Sequence, residues 1–396
     1  MTRKGVWNLQ DVRDKYLQSL WANDTSLFTW GSNGKGYLMR NNTDPGSSRS
    51  PHQVPGTTWI AASTGKDQLF AAVRDDGTLW MGGGNEKGTL GINEGNDDVR
   101  RSSPIQIPGT NWAGVKAARE TVLANKSDGT LWGWGSNSNG ILGQSNQTNY
   151  SSPVQIPGTT WTSEYSIGNA YCLAVKSDGT LWAWGVNNEG QLGLGNQTAY
   201  SSPKQIPGTT WSKVGASKIS SVATRTDGTL WTWGESIDGS LGHNQSNNKE
   251  SSPRQIPGTT WSDPACGYES MGCVKTDGTL WMWGNNGPTG QLGLGNKTNR
   301  SSPQQVLGTT WARLYGRYGN SPGDGAYLAV KTDGTMWSWG YNGDGVLGGG
   351  LAGDSDHRSS PIQIGTSTNW KIDRHAHSIS QKTAVGIQQT LTPSQL

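Results

Sequence analysis

The stretch DGTLWAWG, Asp178–Gly185, returns with one or two changes at Asp128–Gly135, Asp227–Gly234, Asp277–Gly284 and Asp333–Gly340. A worn form, DGTLWMGG, stands at Asp76–Gly83, and only the tail, LFTWG, is kept at Leu27–Gly31. Successive glycines that end these stretches lie 49 to 56 residues apart, the period of an array of small supersecondary units. Two further markers keep step with them. One is a Ser-Pro step at Pro51, Pro104, Pro153, Pro203, Pro253, Pro303 and Pro361. The other is a Gly-Thr-x-Trp step ending at Trp59, Trp112, Trp161, Trp211, Trp261, Trp311 and, stretched, Trp370.

One unit shows what the others are. In Pro153–Gly185, PVQIPGTTW is a short extended run ended by Pro157-Gly158. AYCLAVK alternates small and large residues, as a strand does. SDG makes a tight turn in which Gly179 is free to take positive φ. TLWAWG returns antiparallel, with Leu181 and Ala183 on one face and Trp182 and Trp184 on the other. A Gly-rich loop follows, whose Leu192 and Leu194 can turn inward. A sheet this small cannot bury its own faces, so the units must pack on one another.

The chain ends favour a ring. The first copy begins at Leu27 without the strand that should precede it. The last copy runs past Trp370 into HSISQKTAV, His377–Val385, and has no Trp-Gly strand after it. Head and tail together make one blade, so the expectation is an all-β, seven-bladed β-propeller closed by pairing of N- and C-terminal strands, with closure removing exposed edges. The expected divisions are an anchor segment over 1–23, a propeller over 24–386 and a tail over 387–396.

Composition fits a folded chain. Of 396 residues only 15% are charged, while 21 are Trp and 58 are Gly. So many indoles bury enough apolar area to offset chain entropy, and the core is expected to be rich in them. A net charge of +3 is too small to predict a nucleic-acid or membrane partner. No apolar run is long enough to insert in a bilayer, and no secretory h-region follows Met1. Cys172, Cys266 and Cys273 have no metal or redox spacing and read as small core residues.

The unit DGTLWAWGVNNEGQLGLG resembles the repeat of the regulator of chromosome condensation family, over about Leu27 to Val385. The resemblance implies a seven-bladed propeller. Relatives include nucleotide-exchange factors for a nuclear GTPase, a plant ultraviolet photoreceptor and a secreted bacterial β-lactamase inhibitor, so the common property implied is a rigid disc whose faces bind proteins. The stretch GVWNLQDVRDK near the N-terminus resembles a segment of marine tailed-bacteriophage structural proteins. In it Val6, Trp7, Leu9, Val12, Tyr16, Leu17, Leu20 and Trp21 supply an apolar face near helical spacing, with Asn8 as a cap. Such a segment either packs on its own propeller or docks to a neighbouring subunit.

Enzyme signatures are missing: there is no G-x-S-x-G elbow, P-loop, H-E-x-x-H or C-x-x-C. His375 and His377 would share one face of a strand, but without a carboxylate partner they read as polar surface rather than a metal seat. The Asp-rich loop Gly353–His357 does not match a calcium loop. Asn146, Asn196 and Asn296 satisfy a glycosylation pattern but read as turn residues of the repeat. No catalytic residue, metal or cofactor is therefore expected.

Departures from the repeat mark candidate recognition loops. They are Arg317–Gly325, about five residues longer than its counterparts, Gly348–Arg358 and Asn85–Arg101. Arg317, Tyr318, Asn320, Asp324, Asp354, Asp356 and His357 are the candidate partner-binding residues. Gly82 stands where other copies have Trp. The resulting expectation is a virion structural protein, tail or baseplate associated, assembled in the host cytoplasm. Its partners would be other virion proteins and a host-surface receptor or glycan. Capsid decoration and a soluble bacterial regulatory or inhibitory protein are the alternatives.

Overall fold

The computed structural model describes residues 24–34, 36–41, 46–65, 69–95, 99–316, 324–350, 356–380 and 382–389. These form seven four-stranded antiparallel sheets arranged as blades around a channel. Blades 1 to 6 span 59–107, 112–155, 161–206, 211–256, 261–306 and 311–363, each with its four strands in sequence order. Blade 7 is shared between the ends. Its two inner strands are His377–Ile379 and Thr383–Gln389, and its two outer strands are Thr25–Gly31 and Ser48–Thr57. Seven register pairs, Thr25↔Gln389 through Gly31↔Thr383, close the ring.

The closure differs in detail from the sequence reading. HSISQKTAV is a hairpin of two strands rather than one, so each terminus gives half a blade. The last strand runs on to Gln389, beyond the boundary expected at 386. Closure also leaves seven outer edges, because each blade is a separate sheet. Every outer strand carries a marker proline (Pro51, Pro104, Pro153, Pro203, Pro253, Pro303 or Pro361), which cannot donate to an added strand.

The Asp-Gly-Thr-x-Trp words are explained by a relay of side-chain hydrogen bonds. Asp178 Oδ1 accepts from the Thr180 amide at 2.9 Å and hydroxyl at 2.7 Å, and the Trp182 indole N–H donates to that hydroxyl oxygen at 2.9 Å. Gly179 takes φ +77°, with its carbonyl receiving the Trp211 amide of the next blade. The relay recurs at Asp76, Asp128, Asp227, Asp277 and Asp333. Thr180→Val is expected to lower stability by about 1 kcal/mol in denaturant unfolding, since it removes the hydroxyl that both donates to Asp178 and accepts from Trp182. The threonine hydrogen bonds hold all six carboxyls below their ordinary range. Their contribution is thus present at neutral pH and lost as pH falls below about 4.

The two tryptophans of each Trp-x-Trp have different tasks. The first, half-buried, sandwiches a cation with the Gly-Thr-x-Trp indole: Lys176 lies 4.7 Å from the Trp161 ring and 4.5 Å from that of Trp182. Arg74, Lys126, Arg225, Lys275 and Lys331 do the same in their blades. In blade 7 Gln388 stands opposite Trp370 and Phe28 replaces the first Trp, so neither position of the sandwich is kept. The second tryptophan is fully buried and pins its blade to the preceding one. Trp184 donates to the Ile141 carbonyl at 2.7 Å, and Trp30, Trp134, Trp233, Trp283 and Trp339 make the corresponding bond. A glycine with φ near +70° in the receiving loop, Gly143 for Trp184, lies under the indole where a Cβ would crowd it.

Gly82 breaks this pattern, and blade 7 compensates. The position that is Gly143 in its own copy is Met39 in the loop after Gly31, and the Met39 sulfur fills the space a side chain at 82 would need. Met39 is 1% exposed. A Gly-under-Trp interlock has become a Met-over-Gly interlock at the blade 7–blade 1 boundary.

Candidate functional site

Chain direction within the blades places the three long loops on one face. The inner strand of blade 6 runs from Trp311 to Gly316, its hairpin loop continues to Ala326, and the third strand returns to Gly340 at the same end. The connections 317–325, 341–357 and 85–99 therefore all open on this face. The Asp-Gly-Thr turns lie on the other face, together with Leu307, which is 91% exposed where most copies have proline.

Three of the loop residues that the sequence singles out, Asp324, Asp356 and His357, lie within electrostatic reach of one another in blade 6. The His357 ring stacks on Tyr341, with centroids 5.1 Å apart, and its Nδ1 accepts from the Asn342 amide at 3.1 Å. Partial burial holds the imidazole below its ordinary pKa and Lys297 adds to this, while Asp324 and Asp356 oppose it. Asp324, Asp356 and His357 from two loops thus share one electrostatic environment with a lysine of blade 5. Arg317, Tyr318, Asn320 and Asp354 lie outside the described residues, as do Val6, Trp7, Leu9, Val12, Tyr16, Leu17, Leu20 and Trp21.

Both histidines of the pair border the channel cavity but are held differently. His377 lies in the inner strand of blade 7, with Nε2 on the Lys371 carbonyl at 2.7 Å and Nδ1 accepting from Ile387 at 3.2 Å. Both of its nitrogens are therefore committed to backbone. His375 lies before the strand, facing the channel. The Asn-x-Thr asparagines are turn residues as expected: Asn146, Asn196 and Asn296 accept the amides of Thr148, Thr198 and Thr298 at 2.9–3.0 Å. The three cysteines are buried and unpaired in disulfides, and burial pushes their thiols up.

Sequence reasoning missed the channel. Seven residues separate Trp370 from His377, although their partners Gln388 and Gly386 are only two apart. In blade 4, Trp211 and Val214 span the same rungs in three residues. The extra segment folds into the channel and carries Arg374. Its guanidinium reaches Asp263 Oδ1 at 3.0 Å, Glu164 at 2.9 Å and the Val214 carbonyl. Asp263, 1% exposed, also accepts from Arg313 at 3.0 Å, Lys213 at 3.5 Å and the Leu314 amide at 3.1 Å. Burial raises its carboxyl pKa, but Arg374, Arg313, Lys213 and the amide outweigh that and hold it low. A signal was available: a charge two or three residues after four of the marker Trp residues, at Glu164, Lys213, Asp263 and Arg313, interrupts strands of mostly small residues.

A family model described as an RCC1-like domain matches residues 26–391. Among solved structures, human WBSCR16 superposes with a TM-score of 0.77 at 18% identity, covering 93% of this chain and 100% of that one. Prp20p from Saccharomyces cerevisiae, studied with its binding properties to Gsp1p and histones, gives 0.78 at 18% identity over 94% and 93%. Yeast RCC1 (Prp20) in a structure with Kap60 gives 0.76 at 17% identity over 100% and 96%. At these identities the likeness is one of fold.

Proposed function

Because the chain belongs to the RCC1-like domain family, we propose that it is a non-enzymatic protein-binding scaffold whose working face is the one bearing the long loops. The observation that carries this reading is topological. The three long connections singled out in the sequence join strand ends on one face, while the opposite face carries the Asp-Gly-Thr turn in six copies and departs only locally, at Leu307 and at the stretched step before Trp370. A recognition surface must be individual, whereas a structural surface can repeat. The similar structure of Prp20p comes from a protein that binds others, which is the same class of role.

The finer proposal is a bacteriophage virion component, tail or baseplate associated, with residues 1–23 docking to the particle and the loop face turned to partner subunits or a host-surface receptor or glycan. Its support is the likeness of GVWNLQDVRDK to phage structural proteins. Capsid decoration and a free regulatory or inhibitory protein are the competing roles. A chain beginning at Asn23 is expected to be absent from purified particles, and normal incorporation overturns the docking role. In full-length chain, Asp324→Ala/Asp356→Ala/His357→Ala is expected to leave incorporation intact and to cut host adsorption at least tenfold. Unchanged adsorption removes this face from the reading.

A further inference from the structure

The channel ends in a cup lined in part by basic side chains. Its cavity of about 160 Å³ opens on the loop face and is floored by Lys116, Arg374 and His375. The walls are small side chains of the inner strands, among them Ser63, Ala117, Ser166, Ala216 and Ser378. A volume of that size holds a tetrahedral oxyanion with several waters, since one water needs about 10–15 Å³ on the same measure.

The charges around the floor do not balance. Four cations, Lys116, Lys213, Arg313 and Arg374, stand against three carboxylates, Glu164, Asp263 and, on the plug itself, Asp373, which accepts the His375 amide. Glu164 is engaged by Arg374, and both oxygens of Asp263 are already taken by Arg313, Arg374, Lys213 and the Leu314 amide. Among the described residues, Lys116 makes no ion pair and its ammonium has only the Tyr165 ring, 5.8 Å away. Both nitrogens of His375 are buried and make no well-aligned hydrogen bond, the Ser163 backbone being the polar group nearest to doing so. Its ring sits 6.0 Å from that of Tyr165. A half-buried ammonium with no close counter-ion and a buried imidazole with no well-aligned partner line the same cavity, and one bound anion would serve both.

The geometry points to a binding site for a small oxyanion, phosphate-like or carboxylate, held between Lys116 and His375 at the channel floor. The Lys116 ammonium supplies charge and the neutral His375 imidazole donates its one N–H, whichever nitrogen carries it. Arg119, at the open end with its guanidinium on Asn169, adds positive potential at the mouth. The groups facing Lys116 are Tyr165 and Glu164 from blade 3, Asp263 from blade 5, and Arg374 and His375 from the plug. Burial and then Arg374 lower its pKa to about 8, against the pull of Glu164 and Asp263. Affinity should therefore fall as pH rises through that value. This inference does not depend on the scaffold reading, since it concerns the channel alone.

The test is calorimetric titration of the full chain with inorganic phosphate, and separately with acetate, against chloride at equal ionic strength. Saturable phosphate binding that weakens about tenfold from pH 7 to pH 9.5 is expected, as is a shift of the His375 imidazole resonances. Saturable binding of acetate alone supports the same site with a carboxylate, such as a partner's acidic side chain, as its occupant. Lys116→Met should abolish binding while leaving the unliganded protein as stable as before or more so, because it deletes an unpaired charge. If neither anion binds beyond chloride, or if binding survives Lys116→Met, the site is overturned. Should that variant fail to fold, an unmoved His375 signal in the unaltered protein overturns it equally.

Discussion

Gly82→Trp alone is expected to destabilise the ring by about 1–3 kcal/mol, Met39→Gly alone by about 2–4 kcal/mol, and the two together by far less than the sum. The first forces an indole into space occupied by the Met39 sulfur, which lies 2.2 Å from where a Cβ at 82 would stand. The second empties a buried methionine site, offset in part because Met39 sits at φ 57°, where glycine is unstrained. Together they restore the arrangement of the other six boundaries, with the new indole N–H directed at the Tyr37 carbonyl, the position that Ile141 holds for Trp184. Phe70, cross-strand from Gly82, is no obstacle: blade 6 carries Tyr327 opposite Trp339 with rings stacked at 5.8 Å. Denaturant unfolding of the four proteins checks the cycle. Additive effects would mean that Met39 and Gly82 are not one interlock.

That pair also shows where sequence reading stops. The seven copies, their strands and the shared blade were legible because Trp, Gly and Pro recur at a fixed period and each has one steric role. Gly82 was legible as a departure, but its compensation was not, because Met39 belongs to a different copy and meets Gly82 only when the ring closes. The candidate loops could be picked out one by one. That they share a face follows from strand direction, and that Asp324, Asp356 and Lys297 converge on His357 follows from the neighbouring blade. The channel cluster was the least legible part. The inner strands of blades 2 to 6 give it one charged residue each, some 50 positions from the next, and each alone looks like an ordinary polar substitution. The plug that gathers them is read only from the register on either side of Trp370 and His377.

Asp263→Asn should have the largest effect of any single substitution in the channel, about 3–5 kcal/mol. The shape is preserved, so packing does not decide the result. What is lost is the negative charge that lets Arg313, Arg374 and Lys213 converge from three blades, and Glu164 cannot neutralise all three. An amide in that place also presents an NH₂ group toward three cationic donors, of which Arg374 alone has a second carboxylate, Glu164. The same charge sets the acid limit. Because the folded carboxyl is held below its usual range, its contribution is complete above about pH 4 and drains away as pH falls through the lowered value. The unaltered protein should therefore lose stability steeply on acidification. Asp263→Asn should start lower at pH 7 and follow a flatter course, the two curves approaching one another in acid. Unfolding free energies within about 1 kcal/mol at pH 7 would show that the plug is held by its backbone path and packing, with the ion network a bystander.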